Sequence, residues 1–562
     1  MKGALRRLAY SSWVWAPLAV AVVVRLPAIT QTVPYIYYVD SPQIIQAAAG
    51  MANRLPSVAS LDPAFYLYGS LPIYLAFGIS SLFVFLRAAS DPSIGIVHPF
   101  SAQPSFTYSM ANPTVINPSA VVTVELLTWI AIGCLTVLFA SLAARTLAGR
   151  TAGFCAGIAL AAFPWHATMS TSINVDLIAT FLTCVLALVT ARWVMTPGPR
   201  DHLYAGALVG LVFATKYNAA ICAIAPAVVL IARKPEVGLR VTLRQAGLGI
   251  LTALVAAVIA MPALVIRLPK VMAALASLRA EYYSGESLSP AGWPNFITQW
   301  HSFTSGVGGW LVLTLIGASI ACALYSRSWR VWALAWLIFV VVSVAMLTFQ
   351  SQTFHRNLLP TYPIAAIYLG LGAAALLKTL RPLWRFPRTP RGATQKAALT
   401  SIVVVTLVVL LFAPTLRSDF TTVRDAGSMV DNRSKATSWL RDTACTAPGD
   451  GRIIVATETL IDPAELPDQC GHPLSMRSLT DSQTFTSGDI VLIPQAIAVP
   501  EWVASYPEFA RPVMAEQASL TELLPRLDQL ALFPGGPATQ YARTPDIGGT
   551  IGPGLIAGRV RN

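Results

Sequence analysis

Charge is scarce in this chain. Only 12% of its 562 residues are Asp, Glu, Lys or Arg, about half the share of a soluble globular domain. With 55% hydrophobic residues, that composition excludes a soluble protein. Carboxylates are scarcer still, with nine before Arg417. No basic run with interleaved aromatics occurs in a polar segment, which argues against nucleic acid as a partner. The seven cysteines form no Cys-x-x-Cys or Cys/His pattern of a zinc site. No internal repeat is visible, which weighs against a transporter of paired halves.

What the chain does have is apolar runs of roughly 20 residues, the length that crosses hydrocarbon. They fall at 11–29, 119–144, 152–169, 176–195, 203–232, 245–266, 309–325, 331–349, 357–378 and 397–414, with a shorter one at 71–86. The first follows "MKGALRR" and resembles a signal peptide. It lacks a small-residue cleavage site before Asp40, and Arg25 and Pro27 close it, so it reads as a retained helix. Basic residues cluster in "MKGALRR", "ARTLAGR", "RWVMTPGPR", "RKPEVGLRVTLR", "SRSWR" and "KTLRPLWRFPRTPRGATQK". Placing all six inside satisfies the positive-inside rule. Parity then requires 71–86 to lie in the interface rather than span, and 203–232 to go out and return, breaking at "ATKYN". The expectation is a polytopic α-helical membrane protein of about eleven transmembrane helices, within 1–414. Its N-terminus is cytoplasmic, and two long external loops occupy 30–118 and 267–308.

The remainder, 415–562, is expected to be a small external α/β domain. From Arg417 onward there are 12 basic and 17 acidic residues, against 27 and nine before it. "SKATSWLRD" has a helical pattern, "RIIVAT" and "DIVLIP" are short apolar strands, and "GGPATQYART" is a candidate edge strand. Cys445 and Cys470 share this region, as a disulfide if it faces an oxidising compartment or as two free thiols otherwise.

Of the nine early carboxylates, Asp201 and Glu236 fall in cytoplasmic loops and Glu125 lies within a span. The other six, Asp40, Asp62, Asp91, Asp176, Glu281 and Glu286, map to the external side. Asp40 stands among tyrosines, Tyr38 included, where the first span ends. Asp176 follows "PWHATMSTSINV", near His166, where the alternative is a plain helix N-cap. Lys216 lies at the break of the 203–232 hairpin, and His355 and Arg356 open a later span; snorkelling or interfacial anchoring is their ordinary role. Together these residues place an acid and fixed cations at the outer leaflet. Lys and Arg there suit a lipid-linked phosphate, and a carboxylate suits taking a proton from a hydroxyl.

The first external segment, "YYVDSPQIIQAAAGMANRLPSVASLDPAFYLYGSLPIYL", resembles the first loop of GT-C fold glycosyltransferases of the protein O-mannosyltransferase and aminoarabinose transferase superfamily. "ALVGLVFATKYNAAICAIAPAVVLI", "LRAEYYSGESLSP", "HRNLLPTYPIAAIYLGLG" and "DNRSKATSWLRDTACTAPGDGRIIVAT" continue the resemblance in order over nearly the whole chain. It implies transfer of a sugar from a polyprenyl-phosphate donor to a protein, lipid or glycan hydroxyl on the external face of a cell membrane. Asp40 carries over as general base, and Lys216 and Arg356, with His355, as donor-phosphate ligands. Asp176, His166, Tyr38, Ser41, Tyr68 and Glu281 are supporting residues. Ser41 departs from the family, whose acidic pair is Asp-Glu. Some relatives use a divalent metal; with the second acid gone, no cofactor is assigned and a metal stays an open alternative. The competing functions are a transporter or flippase of an amphiphilic anion and a catalytically inactive scaffold. Single cysteines introduced across 430–560 should label only from outside; labelling from the cytoplasm would refute the parity argument.

Overall fold

The computed structural model describes residues 2–30, 41–52, 61–90, 119–284, 291–350, 354–380, 390–427, 430–447, 451–459, 461, 466–467, 470–495, 507–533, 550–551 and 554–561. The chain divides into two compact units: Met1–Pro27, Arg54–Phe77 and Leu126–Val423 form one, and Ala28–Asn53, Gly78–Glu125 and Arg424–Asn562 the other.

The helices in chain order are α1 Lys2–Arg25, α2 Ser41–Ala52, α3 Leu71–Ser90, α4 Ser119–Ala148, α5 Arg150–Ala161, α6 Pro164–Met169, α7 Val175–Met195, α8 Asp201–Thr215, α9 Ile224–Ala232, α10 Lys234–Val237, α11 Leu239–Ala260, α12 Ala263–Ile266, α13 Leu268–Ser284, α14 Trp293–Gly306, α15 Trp310–Tyr325, α16 Arg330–Thr348, α17 Tyr362–Leu380, α18 Pro390–Gly427, α19 Asn432–Trp439 and α20 Pro507–Leu523. Every apolar run seen in the sequence is helical. Among the described residues six helices are long and apolar enough to cross a membrane, or seven if α14 and α15, bent by 97°, form one broken span. The remaining runs make shorter apolar helices. Pro164, which cannot donate to the ladder of a preceding turn, divides the 152–169 run into α5 and α6. The break expected at "ATKYN" falls at Lys216, whose backbone is extended (φ −154°, ψ 113°) between α8 and a 3-10 turn, Tyr217–Ala223.

In the larger unit, helices approach closely where side chains are small. A Cβ on Gly206 would lie 2.1 Å from the Gly249 carbonyl, and one on Gly210 equally close to that of Ala253, so α8 and α11 meet backbone to backbone. Buried aromatics bring a polar end that finds a partner: Trp332 Nε1 donates to the Ala187 carbonyl at 3.1 Å and Trp336 Nε1 to Thr190 Oγ1 at 3.0 Å, joining α16 to α7.

In the second unit Glu125, whose role the sequence leaves open between pairing with a buried cation and facing a cavity, accepts a hydrogen bond from Ser80 Oγ at 3.0 Å, joining α4 to α3. The rest of this unit contains a two-stranded sheet, β1 Val430–Asp431 with β6 Thr550–Ile551, and a five-stranded sheet of order β3-β2-β4-β7-β5. Its strands are β2 Ile453–Ala456, β3 Leu474–Arg477, β4 Ile490–Pro494, β5 Leu527–Phe533 and β7 Leu555–Val560. β2 runs parallel to β3 and β4, and β7 antiparallel to β4 and β5. Ile453 and Val455 of β2 enter one core with Ala436 and Leu440; Ile454 and Ala456 enter another with Leu520 and Leu523 of α20. A strand buried on both faces must be apolar throughout, which is why "RIIVA" and "IVLI" lack alternation. The "GGPATQYART" edge strand lies outside the described residues. Cys445 and Cys470 form a disulfide.

Asp489 immediately precedes β4 and is nearly fully buried. Arg452 donates to both its oxygens (3.1 and 2.7 Å), and Thr486 donates its amide and hydroxyl to Oδ2 (2.8 and 2.9 Å). Burial alone would raise this carboxyl, but those hydrogen bonds and the guanidinium charge hold it below its ordinary value of 3.8. A lowered acid contributes its stability fully above the ordinary value and loses it as pH falls through the folded one. Asp489→Ala should therefore cost about 1–3 kcal/mol at neutral pH, and the deficit should shrink in melts taken below pH ~3.8.

Candidate functional site

Three helical segments converge at the extended break before Tyr217. The first is the start of α7, capped by Asn174, whose side-chain oxygen accepts the Leu177 amide at 2.8 Å. Its own carbonyl accepts Trp129 Nε1 at 2.7 Å. Capping, the ordinary role considered for Asp176, thus belongs to Asn174. Asp176 in the first turn turns inward and is fully buried.

Lys216 supplies the second segment. Its ammonium donates to Asp176 Oδ1 and, at 2.6 Å, to Asn357 Oδ1. The third is the 3-10 turn His355–Thr361 leading into α17, in which Arg356 Nε stands 3.8 Å from Asp176 Oδ2. Arg356 also lies over the Phe354 ring, 4.6 Å from its centroid. Two cations face the Asp176 carboxylate, with side chains of Lys216 and Arg356 only 9% and 11% exposed. In such surroundings attraction for a further anion is screened far less than at an open surface.

A loop is fastened beside this group. Tyr217 donates its hydroxyl to the carbonyls of Tyr66 and Tyr68 at 3.0 and 3.1 Å. Gly69 lies so close to α8 that a Cβ there would sit 2.0 Å from the Ala214 carbonyl. Asp62 braces the other side: Oδ1 accepts the Tyr66 hydroxyl at 2.5 Å and the Ala64 amide at 2.9 Å, and Oδ2 accepts Arg267 Nε at 2.9 Å. These bonds outweigh burial and hold the Asp62 carboxyl below its ordinary value. Ala64 pays for the turn with a left-handed backbone, φ +54°.

The structure thus brings Asp176, Lys216 and Arg356 together and ties the backbone of Tyr68 to the residue after Lys216. His166 joins a different group: its Nδ1 accepts the buried Arg25 guanidinium at 2.9 Å, and Arg25 also donates to the carbonyls of Ala21 and Ala161. Ser41 is buried and is the first residue of α2. Asp40 and Tyr38 lie outside the described residues, as do the side chains of His355 and Glu281. Sequence reasoning missed Asn357; the only signal was its place directly after the arginine in "HRN". Among the described residues no group of three or more His, Cys, Asp and Glu is arranged to hold a metal ion.

Removing Asp176 would deprive the buried Lys216 ammonium of its carboxylate. Asp176→Ala should lower stability by roughly 3–5 kcal/mol, while Asp176→Leu with Lys216→Met should recover part of the loss, as read by thermal unfolding in detergent.

Residues 114–266 match the family model described as dolichyl-phosphate-mannose-protein mannosyltransferase. Among curated protein sequences none matches this one. The structure of ArnT from Cupriavidus metallidurans bound to undecaprenyl phosphate is similar over 97% of this chain and 98% of that one, at 13% identity and a TM-score of 0.54. The same enzyme in its apo state gives 0.52 at 14% identity, covering 98% of each chain. The archaeal oligosaccharyltransferase AglB from Archaeoglobus fulgidus is more distant, at a TM-score of 0.49 and 14% identity over 80% of this chain and 62% of that one. With a mostly helical chain, apolar spans, a small C-terminal sheet and an end-to-end match to ArnT, the protein is a polytopic membrane protein of the GT-C fold.

Proposed function

We propose that the protein transfers a sugar from a polyprenyl-phosphate donor to a hydroxyl acceptor on the external face of a cell membrane. The observation that carries this is the buried Asp176–Lys216–Arg356 group, in which an ammonium and a guanidinium are set on one carboxylate. A polyprenyl-phosphate sugar is a phosphodiester with one negative charge. When the bond from the anomeric carbon to the phosphate oxygen breaks, the electron pair leaves with the phosphate, which becomes a monoester of nearly two charges. Fixed cations therefore interact more strongly with the departing phosphate than with the bound donor, and this difference accelerates the reaction. Asp176 holds the ammonium and the guanidinium in place beforehand.

The acceptor oxygen attacks the anomeric carbon as that bond breaks, and its proton passes to Asp40. Asp40 immediately precedes Ser41, the buried first residue of α2. Serine is a favourable residue at a helix start, so Ser41 in place of the family's glutamate keeps the helix while dropping a charge. The match of residues 114–266 to a mannosyltransferase family model supports the donor class, and the undecaprenyl phosphate held by ArnT supports the lipid. The Cys445–Cys470 disulfide supports an external C-terminal region, because disulfides persist in oxidising compartments.

Asp40→Asn should reduce sugar transfer by about 10²–10⁴-fold in reconstituted protein while donor-lipid binding persists. Undiminished transfer would remove Asp40 from the chemistry. No transfer by the wild-type protein with any polyprenyl-phosphate sugar would leave the scaffold alternative standing.

A further inference from the structure

We propose that Asn357 is a ligand of the donor phosphate and the residue that aims Lys216 at it. The proposal rests on the phosphate site described above and adds to it a neutral hydrogen-bond donor. An ammonium carries three N–H groups and no acceptor. Lys216 spends one on Asp176 Oδ1 and one on Asn357 Oδ1, which leaves one for a ligand.

The same contact fixes the carboxamide. Lysine can only donate, so the oxygen of Asn357 must face the ammonium. Its nitrogen then points the other way, and Nδ2 is buried with no hydrogen-bond partner among the described residues. A buried amide N–H without an acceptor is destabilising. Around the same place Asp176 Oδ2 also lacks a hydrogen bond and stands 3.8 Å from Arg356 Nε. The cluster is thus tightly closed on the Oδ1 side of Asp176 and leaves an amide donor unsatisfied at Asn357.

A phosphate oxygen satisfies this arrangement. It accepts the third N–H of Lys216 and the Nδ2–H of Asn357, and its negative charge is attracted by the Lys216 ammonium. An amide adds a donor without adding charge, so recognition improves while the charge difference between donor and departing phosphate is left to the two cations.

The test uses full-length protein in nanodiscs with undecaprenyl phosphate as the probe. Asn357→Ala removes the amide without changing charge and should weaken binding by at least about threefold. The same substitution in a Lys216→Met background separates the two roles. If Asn357 contacts phosphate itself, it weakens the residual binding again by about threefold, whereas no further effect there means that Asn357 acts only through Lys216 and overturns its role as a ligand. Asn357→Asp, which adds a negative charge beside the ammonium, should weaken binding by roughly tenfold or more. Binding within about twofold of wild type in the folded Asn357 variants overturns the proposal. Lys216→Met separates the two levels. Unaltered lipid binding there overturns the phosphate site itself, whereas loss there with retention in the Asn357 variants overturns only the role of Asn357.

Discussion

The ion pair between Asp176 and Lys216 is the constraint around which the larger unit is organised. A buried carboxylate next to a buried ammonium is stable only when each has the other. The pair therefore dictates what surrounds it: α7 must start where a separate residue, Asn174, caps it, so that Asp176 is released to face inward. The hairpin of α8 and α9 must break where Lys216 stands, because an extended residue there directs the chain away from the α8 helix. The turn before α17 must approach from a third direction, bringing Arg356 and Asn357.

The surrounding packing keeps that break in register. Tyr217, next to Lys216, holds the 61–70 loop by two carbonyls, and Asp62 fastens the loop's other end to Arg267. Behind the break, Gly206 and Gly210 let α8 lie directly against α11, so the helix that ends at Lys216 has little freedom to shift. A buried polar group thus rests on close-packed helices. Under the proposed function, such rigidity is what would let fixed charges favour a departing phosphate, since dipoles that need no reorganisation act at full strength.

Within the second unit, the region from Arg424 onward follows the different logic of a layered α/β fold. Parallel strands β2 and β4 send alternate residues into two cores, covered by α19 on one side and α20 on the other. Its polar contacts, such as Arg452 with Asp489, brace turns of the fold rather than assemble a reactive site. The acidic balance of this region is consistent with a solvated surface.

The amino-acid sequence by itself determined the membrane class, the helices of the apolar runs, the break at Lys216 and two adjacent interior strands of the sheet, β2 and β4. These follow from local hydrophobicity and from residues such as Pro164 that no distant contact overrides. β3 and β5 were not legible, because "LSMR" is short and "LDQLALF" mixes polar with apolar residues at a sheet's margin. Asp176, Lys216 and Arg356 were recognisable as candidates from their rarity at one membrane face. Only the tertiary structure decided that they are partners of one another, that His166 belongs with Arg25, and that Asn357 joins the group. Lys216 and Asn357 are 141 positions apart, and whether an amide meets an ammonium at that separation depends on helix crossing and turn geometry, which leave no local pattern in the chain.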